Sequence, residues 1–245
     1  MKNLTALIVG ATGLAGRHCL HYLLQDPEYS AVTVLNRRSL GQSHTKLQEH
    51  IIDFENLEGF RPFIQGNHIF CGLGTTIKQA GSQSDFRKVD YTYPLTLARI
   101  ALENRAHQFV LISALGANEN SRIFYNRTKG ELEQSITQLK FPGTLIFRPS
   151  LLVGERSESR TGEKLGEFFL KGLSPLLQGK LRKYRAIQAR TLAVAMVEMA
   201  KVELKGIHIF ESDQIQFFYD RLQKNIQAGI IPAILPGNQK GKASA

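Results

Sequence analysis

Short apolar runs rich in β-branched residues alternate with amphipathic segments along the first 148 residues. The apolar runs predict six strands, at residues 4–9, 31–35, 50–53, 67–71, 109–113 and 143–148. The amphipathic segments predict helices at residues 14–24, 90–105 and 125–139. Strands that alternate with helices are typical of a parallel sheet covered on both faces. The pattern therefore predicts an α/β fold built on a doubly wound parallel sheet.

The pattern becomes less regular beyond Pro149. It predicts a polar loop at residues 154–162, helices at 164–173, at 192–202 with Thr191 as cap and at 217–227, and a strand at 207–210. The small polar tail at residues 237–245 predicts a flexible end. We therefore expect the C-terminal part to form only a small region beside the main sheet.

A glycine loop separates the first predicted strand from the first predicted helix. Gly10 permits a tight turn, Gly13 lets backbone amides approach a pyrophosphate, and Gly16 lets the helix pack closely on the strand. A glycine triplet in this position favours a dinucleotide site over a plain structural turn. The loop residues expected to contact the cofactor are Gly10, Thr12, Gly13, Leu14, Ala15 and Gly16. These features predict a Rossmann-type fold.

The end of the second predicted strand indicates which dinucleotide is bound. NAD sites usually place an Asp or Glu there to hold the ribose hydroxyls. This chain has Asn36, Arg37 and Arg38 instead. Guanidinium groups pair bidentately with phosphates, so the segment favours NADP(H) over NAD(H). The alternative is that one or both arginines are ordinary surface charges.

Further cofactor contacts are expected at the carboxyl ends of the other strands, where open α/β sheets bind their ligands. Asp53 either accepts a hydrogen bond from the adenine amino group or caps the segment that follows. The expected contacts on the ribose and nicotinamide side are Gly72, Leu73, Gly74 and Thr75, together with Pro149 and Leu151. We expect one domain over residues 1–236, with a cofactor part at about 1–148 and a substrate-side part at about 149–236.

Tyr125 and Lys129 are the candidate catalytic pair. Side chains four residues apart lie on the same face of a helix, and a nearby ammonium favours the phenolate form of a tyrosine. Such a pair can exchange a proton with a carbonyl or alcohol oxygen, and Ser113 at a strand end can hydrogen-bond the same oxygen. Lys129 can also hold the nicotinamide ribose, which places both members of the pair at the cofactor. The alternative is an ordinary amphipathic helix.

The glycine loop, Ser113, Tyr125 and Lys129 together resemble the short-chain dehydrogenase/reductase superfamily, in its atypical or extended branch. Segments 89–91, 111–117, 125–131 and 148–160 are similar to the Tat-interacting protein (CC3-like) oxidoreductases and their bacterial relatives. The resemblance covers nearly the whole chain. It implies an NADPH-binding domain and a reductase or dehydrogenase whose substrate is often unassigned.

One position departs from the sequence pattern of the superfamily, and one charged segment adds a possible substrate contact. Superfamily members often carry an Asn in the helix after the fourth strand, where it supports a proton relay through water. Asp90 occupies that position here. The charged run at residues 155–160 is typical of a solvated loop, with contacts from Arg156 or Arg160 to an anionic substrate as the alternative.

Composition and charge limit the classes of protein to which this chain can belong. A chain of 245 residues with 42% hydrophobic residues is sufficient for one large α/β domain. Cys19 and Cys71 have neither metal nor disulfide spacing, and two thiols fit a reducing cytoplasm. The short apolar run after Met1 is expected to be a strand rather than a signal peptide, and no apolar stretch is long enough to predict a membrane span. The net charge of +10 predicts a solvated basic face, with attraction of a phosphorylated cofactor or an acidic partner as alternatives. Nucleic acid is not expected, because no recognition motif is present.

These observations predict an NADP(H)-dependent oxidoreductase that acts on a small carbonyl or alcohol substrate. One alternative is a non-catalytic NADP(H) sensor or adaptor that binds a protein partner. Another is a nucleotide-sugar epimerase or dehydratase, which uses similar residues through a transient keto intermediate. The sequence leaves the substrate and the oligomeric state open.

Overall fold

The computed structural model describes residues 3–154 and 177–230. Seven parallel strands form one sheet. They are β1 (Leu4–Val9), β2 (Tyr29–Asn36), β3 (Leu47–Ile51), β4 (His68–Cys71), β5 (Gln108–Ile112), β6 (Gly143–Arg148) and β9 (Gly206–Glu211). Their order across the sheet is β3-β2-β1-β4-β5-β6-β9. The strand order reverses between β1 and β4, so their carboxyl ends form a switch-point crevice. The predicted doubly wound Rossmann-type fold is confirmed.

A second, small sheet lies beside the carboxyl edge. It consists of β7 (Leu152–Val153) and β8 (Ile187–Gln188), which pair in parallel. Because β7 follows β6 within a few residues, this sheet holds the segment that begins at Pro149 close to the crevice.

Helices cover both faces of the large sheet. They are α1 (Leu14–Gln25), α2 (Ile77–Ala80), α3 (Gln83–Arg87), α4 (Tyr93–Glu103), α5 (Phe124–Gln138), α6 (Ala189–Lys201) and α7 (Ser212–Gln227). Two 3₁₀ segments (Phe54–Phe63 and Gly179–Tyr184) and one π-helical turn (Lys88–Thr92) complete the described elements. None of the helices in the described ranges is long and apolar enough to cross a bilayer.

The central strands are mainly apolar because each side of the sheet has its own core. On one side, Ile8 and Val110 pack against α1, α6 and α7. On the other side, Leu7 and Leu111 pack against α4 and α5. Successive strand residues point to opposite faces, so each strand supplies both cores in alternation. This packing leaves the loops at the carboxyl edge exposed to ligands.

Several predicted boundaries are wrong at the edges of the fold. The third strand begins at Leu47 and ends at Ile51, because an edge strand has polar positions that an apolar run does not detect. Thr191 is buried inside α6, whose N-cap is Gln188. The last helix begins at Ser212 rather than at residue 217, since Glu211 supplies a capping box.

The helix expected at residues 90–105 also begins earlier. Helical structure starts at Gln83 and passes through the π-helical turn before α4. π-Turns of this kind are frequent at functional sites. The helix expected at 164–173, residues 155–162 of the expected loop with Arg156 and Arg160, and the tail at 237–245 lie outside the described residues.

Candidate cofactor and active site

The glycine loop forms a cradle that other residues could not form. Gly10 has a φ of +79°, and a Cβ added there would lie 2.4 Å from the carbonyl oxygen of Gly72. A Cβ on Gly16 would lie 2.0 Å from the carbonyl oxygen of Gly10. Gly13 is the N-cap of α1 and is exposed together with Thr12. The first amides of α1 are therefore accessible to an anion such as a pyrophosphate.

The segment after β2 is held in place by Glu49 of β3. This carboxylate accepts hydrogen bonds from Asn36 Nδ2 at 3.3 Å, Ser39 Oγ at 3.0 Å and Leu40 N–H at 2.8 Å. Arg37 and Arg38 lie between these contacts and are exposed. The sequence has no carboxylate at the end of β2, but in the structure Glu49 of the neighbouring strand β3 places one beside this segment. These hydrogen bonds from Glu49 fix the segment that carries the two arginines.

A cavity of about 470 Å³ lies between α1 and the segment that follows β2. Its lining includes Thr12, Arg17, His21, Ser39, Gln42 and His44. The Nε atom of Arg17 is buried and has no hydrogen-bond partner among the described residues. Sequence reasoning missed Arg17. A basic residue directly after the last glycine of the loop was the available signal.

Asp53 caps the 3₁₀ segment that follows it. Its carboxylate accepts a hydrogen bond from the Glu55 N–H at 2.9 Å, so the capping alternative describes its role in the structure. A contact between Asp53 and an adenine stays a prediction.

Tyr125 and Lys129 lie one turn apart on α5, on the side of the crevice. Tyr125 is half-buried in the wall of a cavity of about 630 Å³, which is also lined by Ala114, Asn118, Pro149, Leu151 and Tyr184. The structure thus places Pro149 and Leu151 beside Tyr125. Ser113 directly follows β5 and is buried, and its Oγ has no hydrogen-bond partner in the described part of the chain.

Lys129 forms a buried ion pair with Asp90. The Nζ to Oδ1 distance is 2.7 Å, and the two side chains are 4% and 1% exposed. Burial is the largest single effect and lowers the pKa of Lys129, but the attraction and hydrogen bond to Asp90 together with the neighbouring Tyr125 raise the pKa above the ordinary value. The other Asp90 oxygen accepts a hydrogen bond from the Thr75 N–H at 2.8 Å. The pair therefore ties the loop after β4 to α5.

The charged groups in the wall of the larger cavity are also paired. Arg148 donates from Nε to Glu133 at 2.9 Å, and the hydrogen bonds to Glu133 raise the pKa of Arg148. Lys183 lies 3.1 Å from Glu211 at the opposite wall. Sequence reasoning gave no site role to these residues, because they are far apart in the chain and only the fold places them at one cavity.

Gly130 lets α5 approach the cavity wall. A Cβ on Gly130 would lie 2.2 Å from the backbone of Asn118, which is itself a lining residue. The glycine therefore sets how closely the helix that carries Tyr125 can pack against this loop.

Comparisons with known proteins agree with this geometry. The model of the NAD dependent epimerase/dehydratase family matches residues 6–180. Protein HTATIP2 of Rattus norvegicus is 36% identical over 177 residues, which cover 71% of this chain and 73% of the relative. The mitochondrial protein FMP52 of Candida glabrata is 31% identical over 211 residues, which cover 83% of this chain and 88% of the relative. The expected resemblance to the Tat-interacting protein group is confirmed.

Solved structures show the same fold at low sequence identity. A UDP-N-acetylglucosamine 4-epimerase from Methanobrevibacter ruminantium M1 superposes with a TM-score of 0.66 at 14% identity, covering 93% of this chain and 83% of that one. The Bordetella bronchiseptica enzyme WbmH, in complex with NAD+, has a TM-score of 0.64 at 17% identity, covering 95% and 82%. These likenesses show the fold, whereas the family match and the glycine cradle support an NAD(P) nucleotide as the cofactor.

The expected cytoplasmic location is overturned by the names of the fungal relatives. FMP52 of Debaryomyces hansenii, Candida albicans and Eremothecium gossypii is named a mitochondrial protein in each case. Free thiols indicate a reducing environment, but they do not distinguish one reducing compartment from another.

The family match begins in β1 and ends in the 3₁₀ segment at Gly179–Tyr184. It therefore includes the glycine cradle, the Asp90–Lys129 pair and the helix that carries Tyr125. This chain belongs to the NAD dependent epimerase/dehydratase family.

Proposed function

We propose that this protein is an NADP(H)-dependent oxidoreductase that acts on a small carbonyl or alcohol compound. The observation that carries the proposal is the position of Tyr125. Its half-buried side chain borders a cavity of about 630 Å³ and lies one helical turn from the buried Lys129. A cavity of that size suits a small molecule.

The cationic groups near the end of β2 support NADP(H) in preference to NAD(H). Arg37 and Arg38 are exposed on a segment that Glu49 holds in place. Arg17 borders the adjoining cavity, and its Nε has no hydrogen-bond partner within residues 3–154 and 177–230. A 2′-phosphate is a ligand that guanidinium groups pair with well. The residues that hold the remainder of the cofactor are the glycine loop at the pyrophosphate and the loop after β4 at the ribose.

When bound, the nicotinamide supplies the hydride that reduces a carbonyl carbon. Tyr125 then donates its phenolic proton to the carbonyl oxygen. The buried Ser113 hydroxyl, which lacks another partner in the described ranges, hydrogen-bonds and orients that oxygen. Lys129 is fixed beneath the loop after β4, where it can hold the ribose edge.

A second candidate is epimerisation or dehydration of a nucleotide sugar. The observation in its favour is the structural likeness to a UDP-N-acetylglucosamine 4-epimerase and to MoeE5 in complex with UDP-glucose and NAD. These reactions use a transient keto intermediate, so they call for the same three side chains.

The two candidates differ in the fate of the cofactor. The purified chain is mixed with stoichiometric NADPH and a panel of aldehydes, ketones and quinones, and absorbance of the reduced nicotinamide is followed. Steady loss of NADPH with formation of alcohol supports the oxidoreductase. In a parallel assay with oxidised NAD(P)+, which accepts the hydride when the keto intermediate forms and returns it afterwards, conversion of UDP-sugars without net change in nicotinamide supports the epimerase instead. If neither occurs while NADPH binds, a non-catalytic sensor replaces both proposals.

A further inference from the structure

Arg148 ends β6 in the wall of the larger cavity, and only one edge of its guanidinium group is occupied. It donates from Nε to both carboxylate oxygens of Glu133, at 2.9 and 3.1 Å, and from Nη2 to one of them. The side chain of Glu133 is 6% exposed and that of Arg148 is 23% exposed, so the carboxylate lies on the buried side of the pair. Nη1 has no hydrogen-bond partner within residues 3–154 and 177–230. The edge formed by Nη1 and Nη2 is therefore available to a ligand.

A second arginine shows the same pairing with both edges filled. Arg61 donates from Nε and Nη2 to Glu58, at 3.1 and 2.6 Å, and its Nη1 donates to Glu103. Arg61 lies in the 3₁₀ segment after β3 and is not among the residues that line the larger cavity. The two arginines use the same atoms on their first carboxylate, and they differ in whether a protein group occupies the second edge.

Arg148 lies close to the residues proposed to hold the reacting oxygen. The pairing of β5 with β6 continues past the end of β5, because the N–H of Ser113 donates to the carbonyl oxygen of Phe147 at 2.7 Å. Ser113 and Arg148 are therefore neighbours on adjacent segments, whose backbones are about 5 Å apart. Their side chains point to the face covered by α5, since Ile112 and Phe147 belong to the core on the opposite face. Tyr125, on α5, lines the same cavity as Arg148.

The other described polar groups in the wall are compatible with an anion at this edge. Lys183 is a second cation in the wall, 3.1 Å from Glu211. Glu211 is the only carboxylate among the described lining residues, and it also accepts a backbone hydrogen bond as the cap of α7. The side-chain amide of Asn126 lines the cavity and has no hydrogen-bond partner in the described part of the chain. The wall therefore combines an open guanidinium edge with a further free donor.

We propose that the substrate carries a carboxylate besides its carbonyl group, and that Arg148 binds this carboxylate through Nη1 and Nη2. A planar guanidinium edge matches the two oxygens of a carboxylate, and Glu133 holds that edge toward the cavity. The proposal rests on the proposed function and names its substrate class as keto acids and aldehyde acids. In the reduction the carbonyl carbon gains a hydride from the reduced nicotinamide, the carbonyl oxygen gains the Tyr125 proton, and solvent returns a proton to Tyr125. The carboxylate is unchanged.

Matched substrates test the class without any variant. The full chain is mixed with NADPH and, in separate assays, with pyruvate, 4-oxopentanoate, 5-oxohexanoate and the primary amide of each acid, at about pH 7, where the acids are ionised. Each amide has nearly the shape of its acid but no charge. We expect kcat/KM for at least one acid to exceed that of its amide by about 100-fold, because only the carboxylate accepts two charge-assisted hydrogen bonds from Arg148. Amides that react as well as their acids at every chain length overturn the proposal.

Arg148→Lys tests the residue assignment. Lysine keeps a cation beside Glu133 but has no second edge, so we expect the KM of the acid to rise about tenfold while kcat/KM for the amide stays within about threefold. Arg61→Lys is the matched control, because it makes the same replacement in a pair with the same donor atoms and leaves the preference for the acid unchanged. Equal losses for acid and amide in Arg148→Lys would show a merely structural role, and an equal change in Arg61→Lys would also overturn the assignment.

A binding measurement separates failure of this proposal from failure of the proposed function. The same acids and amides are titrated calorimetrically into the chain in the presence of NADP+, which has no hydride to give. We expect at least one acid to bind about tenfold more tightly than its amide, and Arg148→Lys to abolish the difference. That result without any consumption of NADPH supports the carboxylate site and counts against the oxidoreductase. Absence of a preference for the acids in the unmodified chain overturns the carboxylate site, even if Arg148→Lys does not fold.

Discussion

At the scale of single residues, two buried polar atoms are candidates to bind a ligand. Ser113 Oγ and Arg17 Nε are buried and have no hydrogen-bond partner among the described residues. An unsatisfied buried polar atom costs about 1–3 kcal/mol, so folds retain few of them without a ligand to bind. Ser113 directly precedes Ala114, which lines the same cavity as Tyr125, and Arg17 lines the cavity beside the glycine loop.

Ser113→Ala separates catalysis from stability. We expect kcat for carbonyl reduction to fall by about 100-fold, because the substrate oxygen loses a hydrogen bond. The free energy of unfolding should stay the same or rise by up to about 1 kcal/mol, since an unsatisfied hydroxyl is removed. Turnover and urea unfolding are measured on the same preparation. An unchanged kcat together with a loss of stability would show that Ser113 is only structural.

Arg17→Leu tests the proposed phosphate contact. We expect the Kd of NADPH to rise by about tenfold, because a guanidinium–phosphate pair is lost, while the Kd of NADH stays within about twofold. Arg99→Leu, which removes an exposed cation on α4, is the control. Quenching of protein fluorescence by each nucleotide gives both constants. Equal weakening for the two nucleotides would place Arg17 outside the phosphate site.

At the scale of elements, two glycines set how closely helices approach the site. Gly16 lets α1 pack onto the turn at Gly10, and Gly130 lets α5 pack onto the loop at Asn118. In both places a Cβ would lie 2.0 to 2.2 Å from backbone atoms, which flexible side chains cannot relieve. These contacts therefore fix the positions of α1 and α5 relative to the two loops.

Alanine at either glycine should be strongly destabilising. We expect Gly16→Ala and Gly130→Ala to lower the free energy of unfolding by about 3 kcal/mol or more, because backbone must move. Gly41→Ala is the control: Gly41 also has a positive φ, +64°, but nothing lies within 4 Å of its Cβ position, so the cost is about 1–2 kcal/mol. Urea unfolding of the three variants measures these free-energy differences. Equal costs at all three positions would contradict the steric argument.

At the scale of the whole molecule, a buried charge cluster joins the beginning of the fold to its end. Lys201 at the end of α6 lies 2.7 Å from Asp26 and 2.8 Å from Glu198, and Asp26 caps the C-terminus of α1. Burial lowers the pKa of Lys201, but these carboxylates outweigh it and raise the pKa. The cluster connects two helices that cover the same face of the sheet.

Stability should therefore fall in alkaline solution. Because the folded-state pKa of Lys201 is raised, its contribution is complete below the ordinary lysine value of about 10.4 and is lost as pH rises through the folded value. We expect Lys201→Met to cost about 3 kcal/mol or more at about pH 8, since the buried Asp26 and the partly buried Glu198 lose their partner. The cost should shrink above about pH 11. Unfolding curves at both pH values check this, and a cost independent of pH would contradict it.

Much of the fold followed from the sequence, because its signals are local. The apolar runs predicted the first six strands of the large sheet, and the seventh strand, β9, was expected as a late strand. The glycine loop was correctly placed between β1 and α1. Errors occurred where a capping contact or an edge position decided the boundary, as at Glu211 and Leu47. The assigned roles of Ser113, Tyr125 and Lys129 stay predictions, as does the division of the chain at residue 149.

The sequence by itself determined the fold class, the dinucleotide cradle and the helical spacing of Tyr125 and Lys129. Each of these depends on residues that are close in the chain, where periodicity and backbone sterics act directly. Only the tertiary structure decided which charges meet: Asp90 with Lys129, Glu49 with the segment that holds Arg37, and Lys183 with Glu211. The reason is that such contacts depend on strand order and burial, which bring distant residues together at short range.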